Sequence, residues 1–287
     1  MGNSISPEIE QSLLGKSTEY SDQYNAGLLY PISRQPKRDD IGINPPTKEA
    51  GLPFFGQDIW NAFELSWLNL KGKPQVAMAV FRIPVDSDNI IESKSFKLYL
   101  NSFNQTKIES QQQLQHILVR DLSATAGAPV DVTLQALDGV LDGAATMQIT
   151  EPKGRCLDGL DIEVKHYHPE PALLKNQNDL IIKETLYSHL LRSNCPVTGQ
   201  PDWATVEINY TGKRIDKAGL LAYIVSFRLY NDFHEQCVER MFLDISQRCQ
   251  PEELTIIARY TRRGGLDINP WRSSHRPSFE NRRFVRQ

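Results

Sequence analysis

Glu92-Ser93-Lys94-Ser95-Phe96-Lys97-Leu98-Tyr99-Leu100-Asn101 returns in outline as Glu235-Gln236-Cys237-Val238-Glu239-Arg240-Met241-Phe242-Leu243-Asp244, 143 residues later. Glu92, Lys97, Tyr99, Leu100 and Asn101 meet Glu235, Arg240, Phe242, Leu243 and Asp244 at identical spacing, and the offset is half of the 287-residue chain. Each stretch carries one apolar face at helical spacing: Phe96, Tyr99, Leu100 and Phe103 in one, Val238, Met241, Phe242 and Ile245 in the other. A Gly-Lys turn and a strand lead into each, Gly72-Lys73 before Glu92 and Gly212-Lys213 before Glu235. Self-similarity at a fixed offset, in one local context, reads as duplication of a folding unit. Both glutamates then stand at or near helix starts, where the helix dipole favours an anion. A capping role is the plain alternative to ligand binding for either of them.

Outward from Glu92, strands are expected at Glu64–Leu70 and Val76–Ile83, then a helix at Ser110–Leu122 and strands at Val130–Leu137 and Ala145–Ile149. Outward from Glu235, the pattern predicts a strand at Leu160–His168 and a helix at Asp179–Arg192. Strands follow at Thr205–Tyr210, around a turn at Thr211-Gly212-Lys213 at Leu220–Leu229, and last at Glu252–Tyr260. Residues 1–55 are polar and proline-rich and read as an extended arm with a short helix near Pro7–Leu14. The organisation expected is an arm (1–55), a first module (56–150) and a second module (151–287). Strands come in runs rather than alternating with helices, so the fold class is α+β: two tandem antiparallel modules with helices packed on one face. No G-x-G-x-x-G follows a strand, which leaves a Rossmann dinucleotide site unsupported.

The net charge of −3 argues against a dedicated nucleic-acid binder. No apolar run reaches membrane-spanning length, and no signal-peptide pattern opens the chain. Met1-Gly2-Asn3-Ser4-Ile5-Ser6 fits the loose myristoylation pattern, with no second membrane signal beside it. Four cysteines, Cys156, Cys195, Cys237 and Cys249, lack C-x-x-C pairing, so neither a zinc ribbon nor a disulfide framework is expected, and a reducing, cytoplasmic compartment is.

Chemistry concentrates in Ser193-Asn194-Cys195-Pro196-Val197-Thr198-Gly199-Gln200-Pro201-Asp202-Trp203. Pro196 drives Cys195 into an extended conformation, and Gly199 with Pro201 forces a turn before Asp202. A stiff loop presenting a thiol and a carboxyl suits a nucleophile and its proton partner; a buried structural cysteine and a turn-capping aspartate are the plain alternatives. His234-Glu235 can offer a carboxylate to a planar N–H/NH₂ edge such as guanine or pterin presents. Ser93 and Lys94, at a helix start, can meet a phosphate, as can Arg262-Arg263-Gly264-Gly265; a solvated helix face and a strand-ending turn are the alternatives. His166 and His168 share a strand face but need a third zinc ligand, for which His275 and Cys195 lack supporting spacing. Arg272, Arg276, Arg282, Arg283 and Arg286 make the tail basic, as a phosphate-binding or a docking arm.

Together these residues resemble the NADPH-dependent 7-cyano-7-deazaguanine reductases, the nitrile reductases of queuosine biosynthesis, in their long two-module subgroup. Glu92–Tyr99 has the form of the family signature E-S-K-S-x-K-x-Y, Cys195–Asp202 that of its catalytic loop, and Phe233-His234-Glu235 and Arg262–Asp267 also fit. The resemblance spans about Gly56 to Trp271. It implies tunnel-fold modules and reduction of a nitrile to a primary amine with two NADPH and no metal. It implies Cys195 as the nucleophile of a covalent thioimide and Asp202 as proton donor. Ile91, Glu92, Ser93, His234 and Glu235 would hold the deazaguanine, and Ser93, Lys94, Arg263 and Gly264 would contact NADPH. A free-base substrate implies no tRNA binding. Glu92 and Cys195 lie in different modules, so a homodimer with composite sites is expected. A metal-dependent pterin or purine enzyme of the same fold and a non-catalytic nucleotide-binding module are the alternatives.

Overall fold

The computed structural model describes residues 20–43, 51–137, 149–277 and 280–287. In chain order the elements are β1 (Pro31–Ser33), α1 (Gln35–Asp40), β2 (Phe55–Leu68), β3 (Pro74–Pro84), β4 (Asn89–Ile91), α2 (Ser93–Asn101), α3 (Gln111–Ala126) and β5 (Asp131–Gln135). Next come β6 (Arg155–Cys156), β7 (Asn176–Asn194), β8 (Pro201–Ile215), α4 (Lys217–Ser226), α5 (His234–Cys249), β9 (Glu253–Tyr260) and β10 (Leu266–Ser273). The architecture is mixed α+β with mostly antiparallel pairing, as expected. Two compact units form: Met1–Asp40, Asp58–Ala145 and Arg262–Asp267 make the first, and Ile41–Gln57, Thr146–Thr261 and Ile268–Gln287 the second. They interleave along the chain, where the sequence reading runs its boundaries straight through at 55/56 and 150/151.

In the first unit the strand order is β5-β3-β2, and β1 pairs with β4. Phe96 on α2 meets Trp60 and Phe81 at ring distances of 5.2 and 4.9 Å, and the face Phe96, Tyr99, Leu100, Phe103 is buried as its spacing predicts. Truncating a phenylalanine so packed costs about 3–5 kcal/mol. The described part of the arm is not simply extended. It forms β1 and α1, and Arg34 reaches the buried Asp58 at 2.5 Å. The short helix expected near Pro7–Leu14, the myristoylation-like start and most of the strand expected at Ala145–Ile149 lie outside the described residues.

In the second unit the order is β10-β9-β8-β7-β6, with β6 parallel to β7. Val238, Met241, Phe242 and Ile245 on α5 are buried, again as predicted. Four local expectations are corrected. Asp179–Arg192 is not a helix but the body of β7. A register shift between Ser188 and Leu191 swaps which alternate residues face inward, so period two breaks mid-strand, and the exposed Leu180, Ile181 and Leu190 fill out an apparent helix face. Leu220–Leu229 is not a strand. It lies in α4, whose N-cap Asp216 accepts from the Gly219 amide, and a short 3₁₀ turn; a run buried on most sides carries no period to distinguish it. Gly212-Lys213 is no turn but lies inside β8, paired with Ile182 and Ile181. Leu160–His168 alternates yet forms no strand. β10, a continuous strand that includes Pro270, has no counterpart in the sequence reading.

Candidate active site

The thiol loop is the turn of the β7–β8 hairpin. Ser193 pairs with Asp202 and Asn194 with Pro201, so Cys195 and Asp202 flank the turn at one end of the ladder. The Cys195 amide donates to the Gln200 carbonyl at 2.9 Å, and the Gly199 amide returns to the Cys195 carbonyl at 3.0 Å. The residue before the loop thus ends a strand, not a helix. Cys195 is 7 % exposed and Asp202 9 %: nearly enclosed, yet reachable.

Main-chain bonds bring a third group to this end of the hairpin. The Asn194 amide donates to the Tyr230 carbonyl at 2.8 Å, and the Asp232 amide donates to the Asn194 carbonyl at 3.1 Å. Asp232 then accepts from the Phe233 amide and the Tyr230 hydroxyl, fixing the entry to α5. His234, its first residue, places Nε2 3.3 Å from Asp202 Oδ2 and stacks its ring on Tyr260 at 3.8 Å. Glu235 follows in the first turn, buried. Sequence reasoning missed Tyr260 and Cys237, which lie beneath this group, because nothing local marks them. Burial pushes both their groups well up, and Asp202 raises both further, so Cys237 stays a neutral thiol and no rival nucleophile. The hairpin thus carries a thiol in its turn and a carboxyl–imidazole pair at its base, groups of the kinds that act as nucleophile and proton carrier.

The first unit holds the other predicted residues. Ile91, paired with Pro31, ends β4, and Glu92 caps α2 by accepting from the amides of Lys94 and Ser95, each at 2.7 Å. Burial nevertheless pushes the Glu92 carboxyl up, against the pull of those two amides. The duplicated glutamates have therefore diverged: Glu92 is a cap, whereas the N-cap before Glu235 is Phe233. Ser93 and Lys94 are partly exposed beside Glu92. Arg263 and Leu266 close a tight turn through reciprocal main-chain bonds, leaving Arg263 and Gly264 exposed. Under that turn Lys97 pairs with Glu64, and Arg262 lies 4.4 Å over the Phe63 ring. Arg263 is exposed and Lys94 half-buried.

Two other groups change meaning. His166, His168 and His275 join no cluster of three metal-ligating side chains among the described residues. Two tail arginines are engaged within the second unit: Arg272 binds the buried Glu239 at 2.8 Å, and the exposed Arg286 donates to the carbonyls of His189 and Ala204. No described helix is long and apolar enough to cross a membrane.

Comparison with known proteins sets the class. A family model described as "Nitrile reductase, 7-cyano-7-deazaguanine-reductase N-term" matches residues 20–134, and a "QueF-like protein" model matches 201–278. The chain is accordingly an oxidoreductase, of the nitrile reductase kind. Proteins named NADPH-dependent 7-cyano-7-deazaguanine reductase from Dechloromonas aromatica and Bordetella avium are each 58% identical to it, covering 99% and 93% of this chain and 98% and 94% of their own. A third, from Cupriavidus metallidurans, is 56% identical over 97% of this chain and 99% of its own. The chain belongs to the family of NADPH-dependent 7-cyano-7-deazaguanine reductases. An archaeosine synthase structure aligns over 35% of the chain at 14% identity and a TM-score of 0.30.

Proposed function

We propose that this chain reduces 7-cyano-7-deazaguanine to 7-aminomethyl-7-deazaguanine at the expense of two NADPH, in queuosine biosynthesis. What supports the reading is a hairpin whose turn carries Cys195 and whose returning strand carries Asp202 within 3.3 Å of His234, in a chain 58% identical to named reductases. Cys195 sulfur adds to the nitrile carbon while Asp202 delivers a proton to the nitrogen, giving a thioimide. A first hydride reaches the same carbon and the nitrogen gains a proton. The C–S bond then breaks with return of one proton to Asp202, restoring the Cys195 thiolate and leaving an imine. A second hydride and proton complete the amine, so one nitrile consumes two hydrides and two protons. The thiol itself activates the carbon, so the sequence of steps calls for no metal.

Ile91, Glu92, Ser93, His234 and Glu235 hold the deazaguanine, with Glu235 on the planar N–H/NH₂ edge, since Glu92 already serves α2. Ser93, Lys94, Arg263 and Gly264 hold NADPH, the two cations facing its phosphates. Because these residues are divided between two units, the active assembly is a homodimer of tunnel-fold chains with composite sites. The substrate is the free base, so tRNA does not bind. Four free cysteines, one of them exposed, suit the cytoplasm. Intact-mass measurement with the nitrile but no NADPH tests the reading: wild type gains one substrate mass and Cys195→Ala gains none. An adduct that persists in Cys195→Ala, or no adduct in wild type, overturns it.

A further inference from the structure

We propose that Cys156, Asp158 and His189 form a site for a borderline-soft divalent cation, with zinc the metal that fits it. One ligand atom from each residue lies within 4.8 Å of the others. Zinc bonds of about 2.0–2.3 Å in a tetrahedron separate ligand atoms by about 3.3–3.8 Å, so small side-chain rotations close the set. Thiolate, imidazole and carboxylate together favour zinc over the hard cations, which take oxygen.

The backbone builds this group deliberately. β6 lies parallel to β7 with Cys156 opposite Tyr187, and the Leu157 amide donates to the Tyr187 carbonyl at 2.9 Å. Gly154 lets β6 approach: its φ is +101°, and an added Cβ would stand 2.2 Å from the Thr185 carbonyl oxygen. Asp158 is pinned on both oxygens, by the Ser188 hydroxyl at 2.6 Å and the His189 amide at 3.0 Å. Each oxygen keeps a second lone pair for a cation. His189 sits where the register of β7 shifts, and its Nδ1 lies 2.9 Å from Thr205 Oγ1. That bond orients the ring, and the proposal takes Nε2 as the coordinating nitrogen, with Nδ1 making the outer hydrogen bond typical of metal-binding imidazoles. Arg286, donating to the His189 carbonyl at 2.9 Å, works against the cation and keeps the affinity moderate. Cys156 is exposed, so water takes the fourth position.

Binding releases the Cys156 thiol proton to solvent as the sulfur–metal bond forms, with no redox change. None of the three residues belongs to the Cys195–Asp202–His234 group. The metal is a clip that fastens the segment carrying β6 to β7, and its binding stands or falls independently of nitrile reduction.

Metal-depleted full-length protein titrated anaerobically with Co²⁺ tests the site. One equivalent is expected to raise a thiolate-to-cobalt charge-transfer band, and Zn²⁺ to displace it. Cys156→Ser should abolish the band and weaken zinc binding at least about tenfold, and His189→Gln should weaken it likewise. Cys195→Ala should keep the band whole. Zinc should raise the thermal midpoint of wild type and not that of Cys156→Ser, whose metal-free midpoint shows that it folds. Absence of the band in wild type, its survival in Cys156→Ser, or its loss in Cys195→Ala overturns the proposal.

Discussion

Replacing Asp202 by asparagine keeps the shape of the site and removes the carboxyl proposed to deliver the proton. The side chain is almost enclosed, and its Oδ2 stands 3.3 Å from His234 Nε2, a contact that an amide oxygen can preserve. The ladder bonds at Ser193–Asp202 are main-chain and are untouched. Loss of a positioned general acid slows a reaction by about 10²–10⁴-fold, or about 3–5 kcal/mol in the barrier. The whole of that loss should fall on kcat, because the grip on the base is assigned to Glu235 and its neighbours. KM should stay within a few-fold of wild type, the signature of an interaction made in the transition state. Steady-state loss of NADPH absorbance gives both constants. Intact mass should show the Cys195 adduct still forming, more slowly. A kcat within tenfold of wild type, in a variant whose thermal midpoint is unchanged, would refute the proton-donor role.

Arg272 and Glu239 make a buried ion pair at 2.8 Å, so Arg272→Met takes the guanidinium from a buried carboxylate and should cost about 3–5 kcal/mol in denaturant unfolding. The double variant Arg272→Met/Glu239→Leu should recover most of it. Burial raises Glu92 above its usual 4.5, so the folded chain keeps a proton that the unfolded chain has lost; stability should fall as pH climbs from 4.5 through the raised value. Glu92→Gln should flatten that part of the stability–pH profile, and an unchanged profile would count against the burial argument. Gly265 has φ +77°, and an added Cβ would stand 2.4 Å from Glu64 Cδ, so Gly265→Ala should lose about 1–2 kcal/mol and displace Glu64 from Lys97. If the turn presents Arg263 and Gly264 to NADPH, the same variant should raise KM for NADPH well before it lowers kcat.

Sequence spoke most clearly where burial has one side. Phe96, Tyr99, Leu100 and Phe103 announce a half-buried helix, and their repeat at Val238–Ile245 announces a second. It misled where sidedness is lost. β7 changes face at the shift beyond Ser188, and α4 is apolar almost all round. The hairpin turn was legible from Pro196, Gly199 and Pro201, because those residues act within a few positions. The approach of Asn194 to Tyr230 and Asp232 was not, because long-range main-chain pairing leaves no mark on side-chain identity. Thus the thiol and carboxyl could be read together, and His234 could be named, but what brings the start of α5 to the hairpin could not.

That pairing has a consequence of its own. Two amide–carbonyl bonds, and no side chain of residues 194 or 231, tie the thiol loop to the start of α5. Substitutions there leave both bonds in place. A single residue added or removed between Asn194 and Pro201, or between Tyr230 and His234, would carry the sulfur or the imidazole out of step with its partner. At residues 194 and 231 the link is made by main chain, so length, as much as composition, is a quantity that any redesign of the site has to keep.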